Sequence, residues 1–172
     1  MNLTSLHTLF VDELQDIYDA EQQIVEALPQ LADAATSPDL KQAFESHLAE
    51  TADQIDRLDR VFEIIGAMPN GVECAAARGL IEEGDDVVGS LGEPTVKDAA
   101  LIGAAQRVEH YEIAAYGTAC ALAKQLNLDE AANLLHKNLE EEEAADKRLT
   151  KLAVGSFFTS GINEEAKLNT AL

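Results

Sequence analysis

Apolar residues recur along this chain at the spacing of helix faces. Phe10, Leu14, Ile17, Ile24, Leu28 and Leu31 follow one another in steps of three, four or seven. That period marks one face of a helix beginning after Thr4 or Ser5 and running to about Ala34. Pro29 falls inside it, removes one backbone hydrogen bond and is expected to kink the last turn. A second helix opens at Ser37-Pro38, a serine cap followed by proline at the first helical position. The stripe Phe44, Leu48, Ile55, Leu58, Phe62 and Ile65 carries it to Gly66, and Met68-Pro69-Asn70-Gly71 then breaks the chain. A third helix fits about Lys97 to Gln125, with Thr95 and Asp98 in capping positions. Asn127 or Asp129 caps a fourth, which runs to about Val154. No alternating run rich in valine or isoleucine occurs, so no strands are expected.

Two helical hairpins with short turns therefore flank a long crossover, Ala67 to Pro94, which is expected to carry a short helix of its own from Cys74 to Val88. One long crossover joining two helix pairs is the ferritin-like arrangement. The expected fold is all-α: a ferritin-like four-helix bundle over residues 1–155, followed by a weakly patterned tail over 156–172. With 172 residues, 47% hydrophobic, the chain suffices for one domain with a sizeable core.

Charge narrows the partners. Twelve Lys and Arg stand against 32 Asp and Glu, a net charge of −20. Nucleic acid and anionic membrane surfaces both require a basic face that so few cations cannot assemble. No apolar run approaches the roughly 18 residues of a membrane span, and the N-terminus lacks a leader pattern. A cytoplasmic protein whose natural partners are cations is expected. Cys74 and Cys120 fit no metal-ligand spacing and are expected as free, buried thiols.

Several carboxylates occupy positions where a bundle helix should be apolar. Glu21 interrupts the heptad of the first helix. Glu142 and Asp146 share a face with Leu135, Leu139 and Leu149, and Glu109 and Glu112 share one with Ile102, Ala105 and Tyr116. His47 and Glu50 flank the stripe of the second helix. Counting from the turns brings them to a common level. Glu21 lies fifteen residues before Thr36 and Glu50 fourteen after it, while Glu112 and Glu142 lie fifteen residues either side of Asn127. His136 and His110 fall outside this layer. Bare anions so placed would cost several kcal/mol each, which leaves carboxylates that are protonated, that face a water channel or that hold cations. Cations relieve that cost, and a carboxylate-rich set with one imidazole suits iron or manganese better than zinc. The candidate ligands are Glu21, His47, Glu50, Glu109, Glu112, Glu142 and Asp146, around two iron ions (or manganese) per chain. Of the run Glu140 to Glu143, only one member points inward. Tyr116 is the tyrosine best placed to serve such a centre.

The segments Asp12-Glu-Leu-Gln-Asp-Ile-Tyr-Asp-Ala-Glu21, His47-Leu-Ala-Glu50-Thr51, Glu109-His-Tyr-Glu112 with Tyr116, and Leu139-Glu-Glu-Glu142 together resemble the YciF/YciE family of ferritin-like bacterial stress proteins. The resemblance runs over about residues 1–155. It implies a ferritin-like bundle, a homodimer and a di-metal site, and gives the fold and site more firmly than a reaction. Similarity to rubrerythrins is weaker, because the order here is His47-x-x-Glu50 and no Cys-rich electron-transfer domain is present. The expected activity is reaction of the metal pair with hydrogen peroxide or dioxygen, catalase-like or peroxidase-like. Non-mineralising iron binding with ferroxidase activity and a non-catalytic helical stress role are the alternatives. The apolar Val87, Val88, Phe157 and Phe158 are expected to help bury the two-fold interface.

Overall fold

The computed structural model describes residues 4–71, 73–156 and 159–169. Its helices are α1 (Leu6–Ala34), α2 (Pro38–Ile65), α3 (Ala75–Gly89), α4 (Pro94–Gln125), α5 (Asp129–Val154) and α6 (Ile162–Asn169). Ser5 caps α1, its side chain accepting from the Thr8 amide while the Thr8 hydroxyl oxygen accepts from the Ser5 amide. α1 continues through Pro29 to Ala34. Ser37 caps α2 with Pro38 inside its first turn, and Gly66 ends that helix at φ +66°, a left-handed conformation that glycine adopts without strain.

Two helix starts differ from expectation. α4 begins at Pro94, and Asp98 leaves capping for another task described below. α5 is preceded by Asn127 at φ +59°, with Leu128 at the cap position and no side-chain cap bond. A two-residue antiparallel pair, Gly155–Ser156 (β1) with Thr159–Ser160 (β2), corrects the expectation of no strands; a pair this short leaves no alternating run in the sequence.

α1 packs on α2 and α4, and α5 packs on α2 and α4, so α1/α5 and α2/α4 are the diagonal pairs of an all-α, ferritin-like bundle. The crossover helix α3 lies across α1 and α4, and α6 docks on α4 and α5. Val87 and Val88 are half-buried against the core rather than left uncovered. Phe157 and Phe158 lie outside the described residues. Among the described residues no helix is long and apolar enough to cross a membrane.

Two apolar layers fill the bundle. One holds Phe10, Leu14, Ile17, Leu58, Phe62 and Leu135. The other holds Ile24, Leu28, Leu40, Phe44, Leu101, Ile102 and Leu149. Buried polar residues interrupt every one of the four helices between these layers: Glu21, His47, Thr51, Gln54, Glu109, Glu112, Asn138 and Glu142.

Candidate metal centre

Registration between the hairpins comes from Asp98. Its carboxylate accepts the amides of Thr36 and Ser37, each at 2.8 Å, and the Thr36 hydroxyl at 2.6 Å. The start of α4 is thereby fixed beside the α1–α2 turn. His47 lies eleven residues beyond Thr36, and Glu109 lies eleven beyond Asp98. At about 1.5 Å per residue, the two side chains reach the same height.

There, one ligand atom from each of His47, Glu109, Glu112 and Glu142 lies within 4.8 Å of all the others, and all four residues are buried. His47 Nε2 stands 3.4 Å from Glu109 Oε1 and 3.7 Å from Glu142 Oε2. Glu21, with no exposed surface, adjoins the group and faces Glu142 and Glu112 across the core. Seven donor atoms of these five residues are buried with no hydrogen-bond partner: Glu21 Oε2, both imidazole nitrogens of His47, Glu109 Oε2, both carboxylate oxygens of Glu112, and Glu142 Oε2.

Electrostatics follow from that crowding. Burial, and then repulsion from Glu142, pushes the Glu21 carboxyl well above the usual range. Burial raises Glu109 likewise, with Glu142 next among the causes. Glu112 is raised by burial and by Glu21, Glu142 and Glu109 together.

Two of the candidate ligands stand apart from this group. Glu50 is half-buried and accepts a hydrogen bond from Arg148; its Oε2 also faces His47 Nδ1 at 3.5 Å. Its carboxyl is held below the usual range by His47 first and by Arg148 after it. Asp146 turns to the half-exposed surface, accepting from Gln106 at 2.8 Å and facing His110 Nε2 at 3.3 Å. The physical reason is rotation about each helix axis. The inner stripe of α2 is Phe44-His47-Thr51-Gln54-Leu58, while Leu48 and Ile55 are half-buried. Glu50 therefore lies beside that stripe and reaches the group only through His47. On α5 the stripe is Leu135-Asn138-Glu142-Ala145-Leu149, which leaves Asp146 one position off. Glu142 is the inward member of its acidic run, and Glu141 pairs with Arg57.

A ring of side chains holds the carboxylates. Gln54 Nε2 donates to Glu142 Oε1, and the Tyr116 hydroxyl donates to Glu21 Oε1. Asn138 Nδ2 donates to the Tyr116 hydroxyl at 3.0 Å and to the Gln54 carbonyl at 3.3 Å, while Arg57 Nε donates to Asn138 Oδ1. Burial raises the Tyr116 hydroxyl well above its usual range, so it is kept as a donor. Gln54 and Asn138 were not anticipated. The signal was present, since each continues a three-four spacing through a polar residue.

A second polar cluster lies under the crossover. Tyr111 donates to Asp16 at 2.7 Å, and Cys74 Sγ sits 3.2 Å from that carboxylate and 3.1 Å from the Tyr111 oxygen. Burial pushes the Cys74 thiol up, which makes it an inert hydrogen-bonding thiol. Cys74 and Cys120 are both free and buried.

The family described as "Domain of unknown function (DUF892)" matches residues 5–167. Protein YciF of Escherichia coli (strain K12) is 47% identical over 157 residues, covering 91% of this chain and 95% of that protein. The crystal structure of the E. coli stress protein YciF superposes with a TM-score of 0.86 at 47% identity, over 88% of this chain and 96% of that one. The YcfI protein of Rhodopseudomonas palustris matches at 47% identity and TM-score 0.85, over 88% and 97%. A protein of Xanthomonas campestris pv. campestris, 20% identical with a TM-score of 0.68 over 86% and 89%, shares the fold.

Proposed function

The chain belongs to the DUF892 family, together with the stress protein YciF, and from that premise we propose that it is a di-metal carboxylate protein that turns over a small oxidant, hydrogen peroxide or dioxygen. The observation that carries this reading is the set of unpartnered atoms on Glu21, Glu109, Glu112 and Glu142 gathered about His47 Nε2. A buried polar group left unpaired costs about 1–3 kcal/mol, and more when charged. A fold does not hold so many such atoms at one level unless something answers them. Charge agrees with this: four buried carboxylates are neutralised by two divalent ions. Oxygen donors with a single imidazole favour iron or manganese. The matched family and relatives carry names without a reaction, so the oxidant chemistry rests on the site alone.

His47, Glu109, Glu112 and Glu142 would hold the ions, with Glu21 completing the set. When bound, the pair supplies Lewis acidity and reversible electron transfer. The remaining work belongs to the chain. Gln54 and Tyr116 each occupy one oxygen of a carboxylate and leave the other free to bind. His47 Nδ1 faces Glu50, which Arg148 fixes, so Nε2 is the nitrogen turned toward the carboxylates. Glu50 thus positions the imidazole. The Tyr116 hydroxyl holds its proton at Glu21 Oε1, at the edge of the centre. The apolar layers above and below exclude bulk water. The two-fold dimer belongs to the same reading, and a mass measurement showing monomer alone at micromolar concentration contradicts that part.

The test is direct. Protein loaded anaerobically with Fe2+ or Mn2+ is mixed with hydrogen peroxide or dioxygenated buffer, and oxidant loss is followed. Consumption faster than by the same metal free in solution, abolished in Glu112→Gln, is expected. A loaded protein that consumes neither oxidant faster than free metal overturns the oxidoreductase reading.

A further inference from the structure

The crossover helix does not seal against the bundle along its whole length. Between α1, α3 and α4 lies a cavity of about 30 Å3 whose inner end is formed by His47 and Glu109. Its walls include Ile24 and Leu28 of α1, Ile81 and Gly84 of α3, and Ala104 and Val108 of α4. The one other charged residue on the lining is Asp85, which is solvent-exposed. On the α2–α5 side a separate polar pocket of about 530 Å3 is lined by Glu50, Arg148 and Lys151. A small recess touching Arg148, His47 and Glu109 lies behind it.

Size and polarity together choose the occupant of the apolar cleft. A water-sized molecule needs roughly 10–15 Å3 of such space, so the cleft admits two or three water-sized molecules and no organic substrate. Water and hydrogen peroxide need hydrogen-bond partners, which the aliphatic walls lack and which only the inner end at His47 and Glu109 offers; the walls themselves are of the kind that takes up xenon. A metal ion would have to shed its hydration shell along those walls, whereas the polar pocket offers carboxylates. The occupant that such walls favour is a neutral, apolar diatomic.

We propose that this cleft is a gas port: it binds dioxygen and delivers it to the His47–Glu109 edge of the centre, apart from the polar approach past Glu50 and Arg148. Delivery rests on the di-metal reading above; binding in the cleft does not. Gly84 gives the means to close it. A Cβ there meets the Ala104 methyl carbon at 4.0 Å, an ordinary contact, so Gly84→Ala fits without displacement and a longer side chain extends into the cleft.

Crystals of the metal-free protein under xenon pressure are the first measurement. Xenon is expected in the cleft of wild type and absent from it in Gly84→Leu; a xenon-free wild-type cleft overturns the port. The second measurement follows oxidation of the anaerobically Fe2+-loaded protein by each oxidant. Gly84→Leu, and independently Ala104→Leu from the facing wall, should slow oxidation by dioxygen about ten-fold or more. Oxidation by hydrogen peroxide should change by less than about two-fold, with the Fe2+ stoichiometry kept. Equal slowing of both oxidants, or slowing of neither, overturns delivery through the cleft. Wild-type protein that binds no metal overturns the di-metal reading and delivery with it, while the xenon result still decides whether the cleft takes up gas.

Discussion

Asp98 and the glutamates of the centre are all buried acids of one bundle, and the protein treats them in opposite ways. Asp98 receives two amides and a hydroxyl from the α1–α2 turn. Glu112, fourteen residues further along the same helix, receives nothing on either oxygen. Burial is common to both; what separates them is the oxygens left without an internal donor, both on Glu112 and one each on Glu21, Glu109 and Glu142. Asp98 is a fastener, and the glutamates are, on the proposed function, ligands.

The comparison predicts opposite signs for similar mutations. The largest effect is expected from Glu112→Gln with Glu142→Gln. Metal affinity should fall by more than about a hundredfold, beyond the usual loss of a ligand's supporting partner. The metal-free fold should hold steady or gain about 1 kcal/mol, because crowded anions are relieved. Calorimetric titration with Mn2+ and denaturant unfolding measure the two halves. Asp98→Ala should do the reverse. It orphans three donors and should cost about 3 kcal/mol, lowering the melting temperature by roughly 6–12 °C, with metal affinity unchanged.

Next in size is a pH effect confined to metal-free protein. Glu21, Glu109 and Glu112 keep their protons in the fold to pH values well above 4.5, the ordinary carboxylate value to which unfolding returns them. Above that value the unfolded state binds fewer protons than the folded one. Their contribution is present below it and is lost as pH rises toward the folded values. Unfolding midpoints should fall across that window without metal and lie flat with saturating Mn2+; a rising midpoint in metal-free protein contradicts the cluster's electrostatics. Smaller still, Tyr116→Phe removes the donor to Glu21 and should weaken metal binding by about ten-fold. Asp146→Asn should change stability by less than about 0.5 kcal/mol and leave metal binding alone, since its partners lie at the surface.

Helix periodicity made the bundle legible: Phe10, Leu14, Ile17, Ile24 and Leu28 form the buried face of α1 as spaced. Height was legible as well, since counting from turns needs only the rise per residue. Azimuth was less so. Leu48 and Ile55 drew the stripe of α2 one position away from His47-Thr51-Gln54, because a polar inner stripe carries no hydrophobic signal. That rotation is what separates Glu50 from the group, and the same offset separates Asp146 from Glu142. Registration of one hairpin against the other depended on Asp98, whose bonds to Thr36 and Ser37 cross sixty residues of sequence and leave no local pattern.

The most direct test of a centre built to receive cations is the metal content of the protein purified without added metal, set beside an equilibrium Mn2+ or Fe2+ titration of the same sample. Two tightly held ions per chain, lost in the Glu112→Gln/Glu142→Gln variant and retained in Asp98→Ala, is the predicted result. Wild-type protein that arrives without metal and takes up none, or a double variant that still holds two ions with unchanged affinity, would contradict the account.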